Sequence, residues 1–170
     1  MWYSPIILRL KRQFRNKDNA KLMRWHKEKR KQDSMLRHLA DGSQWRKIDR
    51  MYTDFALDVR NIRFGLSTDG MNPFGEMSSG HSTWPITLCM YNRPPWLCMK
   101  QKFIRIPVLI PGPKQPKNYV DVYLRPLVKE LLLLWRDESV QMWDEYKQEN
   151  INLRALLFIA INDWPALSNL

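Results

Sequence analysis

Arg63-Phe64-Gly65-Leu66-Ser67-Thr68-Asp69-Gly70-Met71-Asn72-Pro73-Phe74 is the stretch on which the reading of the fold turns. Phe64 and Leu66 alternate with smaller or polar neighbours, the period of a short buried strand. Gly70, Asn72 and Pro73 then punctuate the chain, so Asp69 stands where a strand ends and a loop begins. A carboxylate held on a rigid strand end is a good first ligand for a divalent cation, because Mg²⁺ takes hard oxygen donors. By itself, Asp-Gly after a strand is more often just a turn.

Downstream of this stretch the pattern remains that of a sheet. The first strand runs over 62–68, a small-residue loop follows at 75–80, and 83–91 reads as a second strand interrupted early by Pro85. Asn92-Arg93-Pro94-Pro95 turns the chain. Residues 96–110 read as a third strand that contains Pro107; a proline cannot donate to a ladder, so this strand is expected at a sheet edge or with a bulge. After the rigid loop 111–116, Leu124, Leu127, Val128, Leu131, Leu134 and Trp135 mark the apolar stripe of a helix. Pro126 is best tolerated in a first turn, which puts the start of the helix near Leu124 and gives Asp121 a capping role. Residues 139–150 fit either a strand or a short helix. The nearly continuous apolar run 153–161 is expected to be a central strand buried on both faces. Asp163 would then leave the end of that strand as Asp69 leaves its own, and two such carboxylates could share divalent cations.

Upstream the chain changes character. Residues 1–50 hold 15 Lys+Arg against 5 Asp+Glu, and residues 51–170 hold 13 against 12, so nearly all of the net +11 lies ahead of the Asp69 strand. We therefore divide the chain into a basic, mostly helical region at 1–60 and a core at 61–170. With Asp18 or Asn19 as cap, 20–32 reads as one helix with Leu22, Trp25 and His26 on one face. Arg24, Lys27, Lys29, Arg30 and Lys31 spread over the rest, either as a solvated surface or as a phosphate-binding cluster. Lys27-Glu28-Lys29-Arg30-Lys31 also has the composition of a nuclear import signal. His26 and His38 lack the cysteines or second pair of a zinc site, so packing or hydrogen bonding is the expected role. Asp41-Gly42-Ser43 is a turn, and Trp45, Ile48, Tyr52 and Phe55 predict one amphipathic helix of about three turns.

Composition bounds the rest. Eight Trp and nine Met in a chain that is 44% hydrophobic exclude simple disorder, and 170 residues suffice for one domain with a real core. No secretory signal is evident, and no apolar run approaches the length of a membrane span. Cys89 and Cys98 match no zinc spacing and are expected to be reduced packing residues.

Several blocks, in order along the chain, resemble the CACTA-type (En/Spm-like) DNA transposases of plant genomes. They are Leu66–Phe74, Trp84-Pro85, Tyr91–Lys100, Leu109–Lys114, Asp121–Leu124, Leu153–Leu156 and Ile161–Ala166. One departure is His38-Leu39-Ala40-Asp41-Gly42, where many family members have proline at the second position. The resemblance implies a ribonuclease-H-like mixed sheet with flanking helices, cutting and joining DNA at transposon ends. It makes Asp69 the first catalytic acid. Topology makes Asp163 the second, with Asp121 as runner-up, and Mg²⁺ (or Mn²⁺ in its place) the ion they hold.

The family's third acid, a Glu on a later helix, and a Cys-x-x-Cys pair have no counterpart here. The chain is therefore expected to be a fragment truncated before the last strand and helices, completed by a homo-oligomer or a second transposase subunit. DNA is the expected partner, with no membrane and no small-molecule cofactor, and the nucleus the expected compartment. Lys114 and Arg93, on loops, add possible DNA contacts, though each is more readily a solvated cation. The alternative is a non-catalytic nucleic-acid-binding protein derived from a transposase.

Overall fold

In the computed structural model of the chain, the residues described are 1–72, 82–113, 116, 119–136 and 140–161. The fold is mixed α/β. A five-stranded sheet contains β1 (Trp2–Tyr3), β2 (Ile62–Thr68), β3 (Trp84–Met90), β4 (Arg105–Ile110) and β7 (Ala155–Ile161), in the order β1-β4-β3-β2-β7. All neighbours are antiparallel except β2 and β7, which run parallel. The hairpin β5 (Val140–Asp144) and β6 (Glu149–Leu153) forms a separate two-stranded sheet, so the ambiguous 139–150 stretch is, over its described part, a strand, a turn at 145–148 and the start of a second strand.

Strand alternation sorts the side chains of β3 into two cores. Ile86, Leu88 and Met90 enter the larger core with Ile62, Phe64, Val108 and Ile110. Cys89 and Tyr91 point the other way, into a smaller core with Ala40, Trp45 and Cys98. Helices cover both faces. On the larger core lie α1 (Ile6–Phe14), α2 (Lys17–Leu22) and α7 (Val120–Trp135); on the smaller lie α4 (Ser43–Met51) and α6 (Pro95–Cys98). Both cysteines are free and buried.

Residues 1–60 do more than carry charge. Ile6, Leu10, Phe14, Ala20 and Met23 sit in the same core as the central strands, while Arg12, Arg15 and Lys17 face solvent. Glu130 of α7 anchors this segment. It accepts from the backbone N–H of Ile6 at 2.7 Å and of Ile7 at 3.4 Å, and from the Tyr3 hydroxyl. Pro5 at the N-cap offers no side-chain acceptor, so a carboxylate from 124 residues away takes the capping role.

Five local expectations are corrected. The single helix over 20–32 is two short ones, α2 and α3 (Trp25–Glu28), with Asn16 rather than Asp18 or Asn19 as cap. The buried face is Ala20, Met23 and His26, because the His26 N–H donates to the Asn92 carbonyl at 3.2 Å and so leaves the helical ladder. The helix through Phe55 also breaks: α4 ends before Tyr52 (φ −126°, ψ 67°), and α5 (Thr53–Leu57) restarts it.

The third strand is shorter than its sequence suggests, since 95–103 form α6 and a 3-10 turn. Its proline sits at a bulge: Arg105 and Val108 pair with Leu88 and Ile86, so Ile106 and Pro107 oppose Thr87 alone. It is not an edge, because β1 pairs with its outer side and Ser4 N–H donates to the Pro107 carbonyl at 2.8 Å. Helix α7 begins at Val120, so Pro126 lies in its interior and Asp121 is an exposed first-turn residue, not the cap. Burial of Val120, Leu127 and Leu134 outweighs the roughly 3 kcal/mol penalty of an interior proline.

Finally, β7 is a strand parallel to β2, as read, but it is not buried on both faces. Leu157, Ile159 and Ile161 are 45%, 36% and 45% exposed, and among the described residues no strand pairs with its outer edge.

Candidate active-site strand ends

Why Asp69 is held where it is follows from the pairing around it. β2 pairs with β3 up to Thr68 opposite Ile86, and pairing resumes at a bridge between Met71 and Thr83, with both N–H···O distances 2.8 Å. Asp69 and Gly70 lie between these anchored points. Thr68 is buried and Asp69 is exposed, so the carboxylate leaves the core where the strand does. Gly70 is packed against the Trp84 indole. A Cβ there would stand 2.9 Å from Trp84 Cε2 and 3.0 Å from Ser82 Oγ, closer than side chains tolerate.

On its other side β2 meets β7 in parallel register, Leu66 with Ala160 and Ser67 with Ile161. The two strands therefore reach the same end of the sheet together. Asp163 and Lys114 lie outside the described residues. Among the described residues no group of three or more His, Cys, Asp or Glu is placed to hold a metal ion. Asp121 stands at the start of α7.

Within the basic cluster at 24–31, Arg24 and Arg30 are engaged in the fold. Arg24 pairs with Glu28 at 2.5 Å, and Arg30 pairs with Asp41 while donating from Nε to the His26 carbonyl at 2.9 Å. Lys27, Lys29 and Lys31 are exposed, and Lys31 approaches Asp33 at 4.0 Å. Arg93 is not a solvated loop cation. It is 1% exposed, stacked 4.3 Å from the centre of the Phe103 ring, with no hydrogen-bond partner among the described residues at Nε, Nη1 or Nη2. Burial, and then the neighbouring Arg105 charge, lower its pKa to about 10. Nothing in a Pro-rich turn signals such burial; the Phe103 ring that stacks on the guanidinium comes from the 3-10 turn ten residues on.

His26 and His38 belong to an aromatic stack. Trp25 meets His38 with ring centres 5.5 Å apart, and His26 and His38 meet Trp45 at 5.2 and 6.0 Å. Burial, and then Arg63, lower the His26 pKa to about 3; burial also lowers that of His38. Both rings are uncharged in a neutral solution.

Among the described residues no helix is long and apolar enough to cross a membrane. The chain is a mixed α/β protein with an exposed carboxylate just past the end of β2. The model of the transposase family tnp2 matches residues 33–170, and the chain belongs to that family. No curated protein and no solved structure matches it.

Proposed function

We propose that this chain is the catalytic segment of a CACTA-type DNA transposase, cleaving and joining phosphodiesters at transposon ends with Asp69 and Asp163 as metal-binding acids. The observation that carries this reading is the parallel register of β2 and β7. Ser67 stands opposite Ile161, and each proposed acid follows its strand's paired residue by two positions. The strand order β4-β3-β2-β7, three antiparallel strands and a fourth parallel to the first, supports a ribonuclease-H-like core. Strand β1 is an addition at the far edge.

The donor chemistry fits a hard divalent cation: Asp69 is an exposed carboxylate on an anchored backbone, with no ion pair or hydrogen bond to a described residue. Mg²⁺ or Mn²⁺, when bound, would activate the attacking oxygen and stabilise the leaving one. The protein's part is to fix the carboxylates. The Met71–Thr83 bridge and the Gly70–Trp84 contact hold the turn that carries Asp69. The exposed Lys27, Lys29 and Lys31, with Lys114, would receive backbone phosphates in the nucleus, in a homo-oligomer or beside a second subunit.

The test is nicking of supercoiled plasmid by the full chain in Mg²⁺ or Mn²⁺, with DNA binding measured in parallel. Loss of nicking in Asp69→Asn and in Asp163→Asn, with binding retained, is the expected result. Salt-sensitive binding by the unaltered chain with no nicking in either metal would instead make it a non-catalytic DNA-binding protein.

A further inference from the structure

Among the described residues of the family-matched region, the most exposed tryptophan is Trp96 on α6, at 62%. It is not a loosely hung side chain. Its ring meets Trp25 edge to face, with centres 5.5 Å apart and planes at 79°. Trp25 in turn meets His38, His38 meets Trp45, and Trp45 meets Phe158 of β7. A line of rings thus braces Trp96 from the sheet outward, and an edge-to-face contact cannot cover both faces of both rings.

The segment that carries Trp25 is rich in cations. Residues 17–31 hold seven Lys+Arg against two Asp+Glu, and Lys100 is exposed just beyond α6. Trp25 also lines a cleft of about 520 Å³ with Lys21, Lys29 and Tyr146, and Asp18 and Glu28 are its acids. Glu28 is already paired with Arg24. Lys21 Nζ lies 5.9 Å and Lys147 Nζ 5.6 Å from the centre of the Tyr146 ring. Aromatic surface interleaved with lysines is the composition that binds single-stranded nucleic acid: rings stack on bases while cations track the phosphates.

We propose that Trp96, braced by Trp25, is a stacking platform for an unpaired nucleobase, with the adjoining strand led past Lys29, Lys21 and Lys147. The inference rests on the reading of the chain as a DNA-acting protein and adds the form of DNA it grips. In a duplex the faces of the bases are already covered, so an exposed indole gains little there. A base freed from its partner offers the whole ring.

The test compares a labelled oligo-dT single strand with a duplex of equal length, at one salt concentration, for the full chain and two variants. Trp96→Ala should weaken single-strand binding about 5- to 100-fold and leave duplex binding nearly unchanged, while Trp96→Phe keeps most of the affinity. Oligo-dT should also quench tryptophan fluorescence more in the unaltered chain than in Trp96→Phe, a readout independent of the alanine variant's fold. Equal losses on both DNAs, or none on either with equal quenching, would overturn the platform and leave DNA binding intact. An unaltered chain that binds neither oligonucleotide would overturn the platform together with the DNA-acting reading.

Discussion

Asn92 donates from Nδ2 to the backbone carbonyl of Asn61 at 2.8 Å, and between them these two buried amides tie four segments together. Asn92 Oδ1 accepts the Arg63 N–H at 2.9 Å, which fixes the start of β2. The Asn92 carbonyl accepts from His26. Asn61 donates to the Phe55 carbonyl at 2.8 Å and accepts the Arg154 N–H at 2.9 Å, just ahead of β7. The parallel register of β2 and β7, on which the proposed active site depends, is thus set at this corner. Asn61→Ala or Asn92→Ala should each cost about 2–3 kcal/mol of stability, because buried backbone groups lose partners that water cannot replace. Urea unfolding measures the cost, and the double variant should lose less than the sum.

Arg60 should behave as the clasp of the β5–β6 hairpin. It pairs with Asp58 at 2.8 Å and Asp144 at 3.2 Å, and also with Glu149. Asp144 is fully buried, and among the described residues its carboxylate otherwise accepts only backbone N–H groups, from Tyr146 at 3.0 Å and Lys147 at 3.4 Å. Arg60→Met leaves that carboxylate without its cation and should cost about 3 kcal/mol. Arg60→Met combined with Asp144→Asn should recover part of the loss in the same unfolding measurement.

Removing the Glu130 carboxylate should loosen the amino-terminal segment selectively. Ile6, Ile7 and Tyr3 all donate to it. Glu130→Ala should raise amide hydrogen exchange and protease cleavage around β1 and α1 before the central strands are affected. The expected cost is about 1–3 kcal/mol. Equal protection across α1 and β2 in the variant would count against this anchoring role.

Acid should destabilise the fold through His26. Its folded pKa, about 3, lies below the usual 6.5, so between these values the unfolded chain binds the proton and the folded chain does not. Stability therefore falls as pH drops below about 6.5, by up to about 1.4 kcal/mol per pH unit from this group. His26→Gln should flatten the stability profile between neutral pH and about pH 4.5 relative to the unaltered chain. Identical slopes by urea midpoint would show that the ring is not held uncharged.

Much of the sheet was legible because strand signals are local. Phe64 and Leu66 alternate, Gly70 follows close on the strand's end, and Pro107 does sit at a bulge. The helical half was read less well, since tertiary hydrogen bonds and burial overrode propensity. His26 leaves its ladder for Asn92, and the α7 stripe carries Pro126 inside the helix. Arg93 departs from expectation for the same reason: a charged residue in a Pro-rich turn has every local mark of exposure, yet it is buried.

By itself the sequence determined that 62–68 is a strand ending at Asp69, that the positive charge is concentrated ahead of it, and that a strand lies within 153–161. Period, punctuation and charge are carried by neighbours in the chain and need nothing else. Tertiary structure alone decided that β7 lies parallel to β2 with Ser67 opposite Ile161, that Glu130 caps α1, and that Trp96 rests on Trp25. Each of these joins residues far apart in the chain, and only packing around a common core brings such groups together.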